Sequence, residues 1–554
     1  MPSLLHLIQL PQLAIATHGS SAGSVAMALA TMIPWLLALL TRPLGRHMTA
    51  RLAWIPVGAS VAAGIAIGTT GPSVAGITNA HGHLLAGLQA NTYSITLIVL
   101  VTFVGALVQS FALRHLQSDT HAARFAAGAH VVVGAMVIVA DSATLAGLVI
   151  GWVIAGMAFT SVLGYRPELP GVKRSVAATR RAFIIGDTAL VVAASWIILR
   201  SGDVALTSSH DLQVAAGRLG AGEPVVALLV AVSALARSAQ FPLGRWMAGT
   251  VNAPTPVSAL LHAGVVNGGG ILLVRMAPLE NTSAPATLIV FCCAFITLAY
   301  GITAIRARSD VKGALALSTR AQMGFMLAEC AAGLPVFATV HLIGHAIYKA
   351  TLFFGSGNGI RRPGTRPIKP VHSHRLPASL PAIVAGIAGG GITLGTMLMV
   401  MDGLGGYRSW PLLLFSGVTA TVVGREWWLR HPRGWGWPMV AAFVLVTLSA
   451  IYAALLSGLG GWLVSTLGMV PATLIGPWWL VVAGVTAAAF SFAAWQWLPM
   501  TALSILVPAG NQGDVPAPQR LAGLRLWRVF ARPMVPTGDR QQHSGNRPMD
   551  GCAA

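Results

Sequence analysis

Residues 231–275 read AVSALARSAQFPLGRWMAGTVNAPTPVSALLHAGVVNGGGILLVR, two apolar stretches separated by a break. The first carries a lone Arg237 and is interrupted at Pro242, and the second carries His262. Both stretches belong to membrane on their apolarity, so two ionisable groups are expected inside a bilayer. An ionised side chain at mid-bilayer costs about 2.5–3.5 kcal/mol on insertion scales, and such residues therefore face a bundle interior or a polar pathway. The rest of the chain reads as the support of that pathway.

The whole composition agrees. The 554 residues are 55% hydrophobic and only 9% charged, and apolar runs of roughly twenty residues recur throughout. The expected fold class is an all-α polytopic membrane protein, which excludes a soluble multidomain enzyme. A net charge of +20 would suggest nucleic acid in a soluble protein. Here the basic residues fall in short loops, where they set topology. Cys292, Cys293, Cys330 and Cys552 have neither zinc-site nor disulfide-framework spacing. No Gly-rich phosphate loop appears. No cofactor is expected in this chain, and any zinc chemistry in the system would lie in another subunit.

About fifteen spans are expected, near 22–41, 52–70, 92–113, 125–140, 143–164, 182–199, 224–244, 254–274, 285–305, 313–330, 335–357, 378–400, 409–428, 437–458 and 477–498. Basic residues then alternate from loop to loop, and 28 of the 35 fall on one side. The positive-inside rule assigns that side to the cytoplasm, with the N-terminus outside and the C-terminus inside. The first segment has no basic flank before it and reads as a retained anchor. On the opposite side, Asp141, Asp203, Asp211, Glu223, Glu280, Glu329 and Asp402 are expected at or near the surface, a mildly acidic face that would attract cations, although they read more simply as ordinary solvated loop charge than as a dedicated funnel. The tail from 507 is rich in Pro, Gly and Arg and expected to be partly disordered. Within it RLAGLRLWRVFARPM, residues 520–534, is a candidate interfacial helix on membrane lipids or a dock for a partner.

The ionisable residues that stand out inside the expected spans are Asp187, Arg237, His262, Arg320, His341, His345 and Lys349. The last three are spaced i, i+4, i+8 and share a helix face. Such a face suits a proton relay, because neutral imidazole both accepts and donates and a desolvated lysine titrates near neutral pH. The bland alternative is that each makes one interhelical hydrogen bond. Arg237 does not release its proton at accessible pH, so it serves as a fixed charge or an anchor for water. The partner of Asp187 is either Arg237 or the Arg180/Arg181 pair at the membrane edge. Pro242 in the seventh span and Gly389, Gly390 and Gly391 in the twelfth are expected to break their helices, as in inverted repeats around a midplane path.

The run NAPTPVSALLHAGVVNGGGILLVR, preceded by ARSAQFPLGRW, resembles the antiporter-like subunits of respiratory complex I and of multisubunit cation/proton antiporters, where a lysine stands at the place of Arg237. DVKGALALSTRAQMGFM and FATVHLIGHAIYKATLFF resemble a second block of that family, with His341, His345 and Lys349 at its histidines and lysine. RRAFIIGD, ending in Asp187, resembles a third. The resemblance implies an antiporter-like core at 85–360, between N-terminal transmembrane helices at 1–84 and C-terminal ones at 361–506, with a cytoplasmic tail at 507–554. Three features depart from it: Val153 stands in the GWVIAG run where the family has a glutamate, no lysine follows Lys369 near the twelfth span, and the long lateral helix and final anchor of the largest complex I subunit are not expected from this sequence.

Within the superfamily the pattern looks most like the DabB family, membrane subunits of DAB-type inorganic carbon pumps. That likeness implies a cation-conducting subunit in the cell inner membrane, expected to carry protons. Its flux would drive CO₂ hydration or bicarbonate accumulation by a cytoplasmic DabA-like zinc partner resembling a β-carbonic anhydrase. The alternatives are a subunit of a cation/proton antiporter or of a complex I-like oxidoreductase, and a membrane anchor that conducts nothing.

Overall fold

A computed structural model describes residues 14–18, 21–78, 84–280, 283–305, 308, 310–356, 380–401 and 436–467, with single positions at 417, 420, 421 and 424. The helices are α1 (Ser21–Leu52), α2 (Ile55–Thr70), α3 (Thr92–His115), α4 (Ala122–Asp141), α5 (Leu145–Leu163) and α6 (Val172–Ser201), then α7 (Ser209–Leu219), α8 (Glu223–Arg237), α9 (Thr255–Ala263), α10 (Gly268–Arg275), α11 (Ala277–Glu280), α12 (Ala284–Ile305), α13 (Val311–Ala331), α14 (Pro335–Gly355), α15 (Leu380–Met401) and α16 (Gly436–Leu467). Several begin on side-chain caps that the sequence supplies. Asn91 and Ser94 form a capping box on α3, Thr144 Oγ1 accepts from Gly147 N, and Asp310 Oδ2 accepts from Gly313 N at 2.6 Å.

Ten stretches among the described residues are long and apolar enough to cross a membrane, so the chain is a multi-span membrane protein. The expectation of fifteen is not reached among these residues. α2 and the apolar part of α15 are shorter, and α13 is more polar because it carries Lys312, Arg320 and Glu329. The expected span at 477–498 and the basic tail lie outside the described residues, as does most of 409–428.

The all-α expectation needs one correction. Strands β1 (Ala14–His18), β2 (Ser73–Thr78) and β3 (Leu84–Ala90) form an antiparallel sheet in the order β1-β2-β3, with an irregularity at Ile77/Thr78. It joins the start of α1, the end of α2 and the start of α3, and so marks one end of the bundle, here the sheet end. Arg46, Arg114, Arg124, Arg166 and Lys173 mark the opposite, basic end. At the sheet end Arg275 donates to Val139 O (2.8 Å) and Ala140 O (3.3 Å) and also to Ser142 O, capping α4 with a positive charge where its dipole is negative.

The seventh span breaks where the sequence suggests. α8 ends at Arg237, and a 3-10 helix, Leu243–Asn252, follows the non-helical turn through Pro242. Ala239 inside that turn has φ 54°, in the left-handed region that an alanine enters at a cost of about 1–2 kcal/mol. Three carbonyls at the break are held by side chains: Trp246 Nε1 donates to Ala236 O at 3.1 Å, Gln240 Nε2 to Ser238 O at 2.6 Å, and Arg320 Nε to Ala239 O at 3.1 Å. Inside a bilayer such satisfaction is what permits a helix to be interrupted. The next span is also interrupted, at Gly264–Asn267 between α9 and α10, with Gly264 at φ −124°, ψ −85°. Ser238 Oγ donates to Val266 O at 2.8 Å and ties the two breaks together. Gly269 permits this approach, because a Cβ there would strike Ser238 Oγ and Ala234 O.

Gly389, Gly390 and Gly391 do not break their helix, contrary to expectation. α15 runs continuously through them. A Cβ on Gly390 would collide with Thr421 Oγ1 and would sit 2.8 Å from Gly417 O, while Gly389 faces Ala420 O and Gly424. These glycines let two backbones cross closely, the use that small residues commonly have in membrane helices.

Candidate functional site

Two polar clusters meet at the interrupted spans. In the first, Arg237 Nη2 donates to Asp187 Oδ1 at 2.7 Å and to Trp152 O at 3.1 Å. The guanidinium carbon lies 4.3 Å from the Trp152 ring centre and 4.4 Å from that of Phe183. Arg237 is 2% exposed and the Asp187 side chain 15%. The partner of Asp187 is therefore Arg237 and not the arginines at the membrane edge. Space for the pair comes from missing side chains: a Cβ on Gly156 would lie 2.9 Å from Arg237 Nη2 and 3.1 Å from Asp187 Oδ2, and one on Gly268 would lie 3.2 Å from Arg237 Cγ. The pair is a fixed cation held between ring faces with a partly exposed carboxylate beside it.

The second cluster is the polar face of α14. His341, His345 and Lys349 point between α9, α10 and α13, as the i, i+4, i+8 spacing requires. Lys349 Nζ donates to Ser318 Oγ at 2.5 Å, His345 Nδ1 lies 3.1 Å from Asn267 Oδ1, and His341 Nδ1 lies 2.9 Å from Glu329 Oε2. The His341 and His345 rings are 6.4 Å apart. His262, at the end of α9, stacks on Phe353 of α14 at 4.6 Å and lies within electrostatic reach of Lys349. Lys349, His345 and His262 are buried.

The α9–α10 interruption joins the clusters. Asn267 contacts His345, and its neighbour Gly268 lies against Arg237. Arg320 stands apart from both: it donates to the carbonyl of Ala239 and stacks on Tyr300 at 4.9 Å, so its observed contacts brace the broken helix.

From the sequence, Asp141, Glu280 and Glu329 are expected at or near the surface. All three are buried, at 0%, 5% and 5% exposure. Asp141 Oδ2 accepts from Thr31 Oγ1 at 2.6 Å. Glu329 stands among the small residues Ala328, Cys330, Ala331 and Ala332 at the end of a helix, and nothing local shows that the following turn folds it against His341. His130, buried in α4 at 3% exposure, was also missed, although its place inside an expected span was the signal. Among the described residues no group of three or more His, Cys, Asp or Glu is placed to hold a metal ion.

Residues 142–396 match the family "NADH:quinone oxidoreductase/Mrp antiporter, TM", and residues 77–126 match "NADH-Ubiquinone oxidoreductase (complex I), chain 5 N-terminus". The chain is 30% identical over 374 residues to the "Probable inorganic carbon transporter subunit DabB1" of Halothiobacillus neapolitanus, covering 64% of this chain and 67% of that one. It belongs to the antiporter-like membrane subunits that include the DabB proteins. A second member, NADH-quinone oxidoreductase subunit L of Mycobacterium tuberculosis, is 31% identical over 412 residues, 68% of this chain and 64% of the other. A third, "Probable inorganic carbon transporter subunit DabB2" of Halothiobacillus neapolitanus, is 33% identical over half of each chain. The matched stretches thus span half to two-thirds of these relatives' length. The Mrp complex from Dietzia sp. DQ12-45-1b shares the fold, with a TM-score of 0.59 and 22% identity over 87% of this chain and 58% of that one. Both interrupted spans and the α14 face lie inside the first matched region.

Proposed function

We propose that this chain is the proton-conducting membrane subunit of an energy-coupled inorganic carbon pump. The observation that supports it best is the junction at Asn267 and Gly268, where a fixed buried cation with its carboxylate adjoins a helix face carrying Lys349, His345 and His341. Conduction would use the α14 face as the relay, with the Asp187–Arg237 pair biasing its charge state and His262 adding a further imidazole beside Lys349. The basic end would face the cytoplasm of a cell whose inner membrane holds the protein, with the N-terminus outside and the C-terminus inside. Chemistry on CO₂ or bicarbonate would fall to a cytoplasmic zinc partner of the DabA type, docked on the basic end and the tail, where Leu521, Leu524, Trp527 and Phe530 are interleaved with arginines. The energetics suffice: one charge moved through about 100 mV releases about 2.3 kcal/mol, equivalent to a gradient of about fiftyfold.

The test is labelled-bicarbonate uptake in carbon-limited cells expressing the chain with and without its adjacent gene, each with and without a protonophore. Uptake is expected only for the pair, and only without protonophore. Uptake by this chain alone, or paired uptake indifferent to the protonophore, overturns the proposal. The likeness to subunit L and to the Mrp complex favours a second reading, a subunit of a cation/proton antiporter or of a quinone oxidoreductase. Cation-dependent proton exchange without carbon uptake would support that one, and a chain that binds its partner and conducts nothing would be an anchor.

A further inference from the structure

The relay face of α14 ends in a contact that nothing in the sequence pattern or the family match assigns. Glu329 is two residues from the end of α13, at the sheet end of the bundle. Gly333, at φ 71°, turns the chain, with Gly333 N donating to Cys330 O at 2.9 Å and Leu334 N to Glu329 O at 3.0 Å. α14 then runs back antiparallel from Pro335, and at 1.5 Å per residue His341 lies about 9 Å along it. That depth sets the imidazole opposite the carboxyl, 2.9 Å away. Glu329 is 5% exposed and the His341 side chain 17%, so both groups are largely shielded. Phe325 packs on the His341 ring at 5.3 Å, and among the described residues Cys330 and Tyr452 of α16 also lie within electrostatic reach of Glu329. A buried carboxyl is expensive in apolar surroundings, and membrane proteins keep such groups chiefly on ion pathways.

We propose that Glu329 and His341 form the outer proton-transfer site of the path, a site specific to the α13–α14 hairpin. The inference rests on the conducting reading above. In the inward step a proton from the outer medium adds to the Glu329 carboxylate. The carboxyl O–H is then donated to Nδ1 of neutral His341, leaving carboxylate beside imidazolium. The imidazolium releases its Nε2 proton toward His345 across the 6.4 Å between rings, a gap that one water or a ring rotation closes. His341 is then neutral with its proton on Nδ1 and Glu329 is a carboxylate, so no net charge stays behind, and the starting tautomer returns when Nδ1 gives its proton to water and Nε2 takes one from water.

A purely structural Glu329 would tie the hairpin by one hydrogen bond, and glutamine keeps that bond while losing the exchangeable proton. This separates the two roles. The experiment uses right-side-out membrane vesicles from cells expressing the full chain with its adjacent gene product. External acid pulses are read by an internal pH dye, per molecule of inserted chain. Glu329→Gln is expected to lower proton entry about tenfold or more, given what a positioned proton-transfer group commonly contributes. Entry should also lose its dependence on external pH, and Glu329→Asp should retain most of both. Lys349→Ala reports on the reading beneath: entry that is the same in that variant and in wild type refutes conduction through α14, and the inference with it. If Lys349→Ala stops entry while Glu329→Gln conducts with the wild-type pH profile, Glu329 only ties the hairpin and the inference is wrong. Where Gln at 329 prevents insertion, His341→Gln carries the same expectation and the same refutation.

Discussion

Replacing Arg237 with methionine tests the central ion pair by leaving Asp187 without its partner. Methionine still fills the space between Trp152 and Phe183, so little packing is lost. What disappears is the 2.7 Å contact with Asp187 and the bond to the carbonyl of Trp152. Breaking a buried pair from one side costs about 3–5 kcal/mol, and the 15% exposure of Asp187 places the expected loss at the lower end, about 3 kcal/mol. Adding Asp187→Asn removes the stranded charge, so the double variant should be more stable than Arg237→Met alone, with a coupling of about 2 kcal/mol. Unfolding of the two single variants, the double variant and wild type in mixed detergent–SDS micelles, followed by tryptophan fluorescence, supplies the cycle. Transport should be absent from both methionine variants, while Arg237→Lys, which preserves a positive charge, keeps part of it. Single-variant losses that add within about 0.5 kcal/mol would refute the assignment of Asp187 and Arg237 as one unit.

Lys349→Ala and His345→Ala should each abolish ion-coupled growth in a complementation assay scored per molecule of inserted chain, because both side chains lie on the polar face of α14; near wild-type growth would remove the relay. Gly156→Val should displace the Arg237 fork, since even a Cβ would come within 2.9 Å of it, and transport should fall more than stability does. Gly390→Leu should disturb the close crossing of α15 at Thr421 and lower thermal stability in detergent, yet spare conduction if the path lies in the α8–α14 region. A conduction defect at full stability would contradict that separation.

Much of this arrangement was legible in the sequence because membrane imposes simple rules. Apolar length marked the spans, and an isolated Arg237 in an apolar run could persist only with a partner, which Asp187 supplies. Spacing of four residues put His341, His345 and Lys349 on one face without any tertiary information. The misses have physical causes too. Gly389–Gly391 could mean either a break or a close crossing, and only the neighbouring helix decides between them. Gly264, by contrast, interrupts α9 with no proline at that point to announce it. LLAGLQA, the third strand, lacks the alternation of a half-buried strand and pairs only because β2 lies beside it. Glu329 sits near a helix end, where carboxylates are ordinarily solvated, and its burial depends on the turn at Gly333.

A broken membrane helix is commonly a hinge, yet the break after Arg237 is built like a strut. The carbonyls of Ala236, Ser238 and Ala239 are held by side chains of Trp246, Gln240 and Arg320, and Ser238 clamps the break to its neighbour. Bending there would strip several hydrogen bonds at once in a medium that offers no substitutes. Transport through such a joint is a matter of protons and side-chain rotation within a rigid frame, and large swinging movements of these two spans are the least economical way for this protein to work.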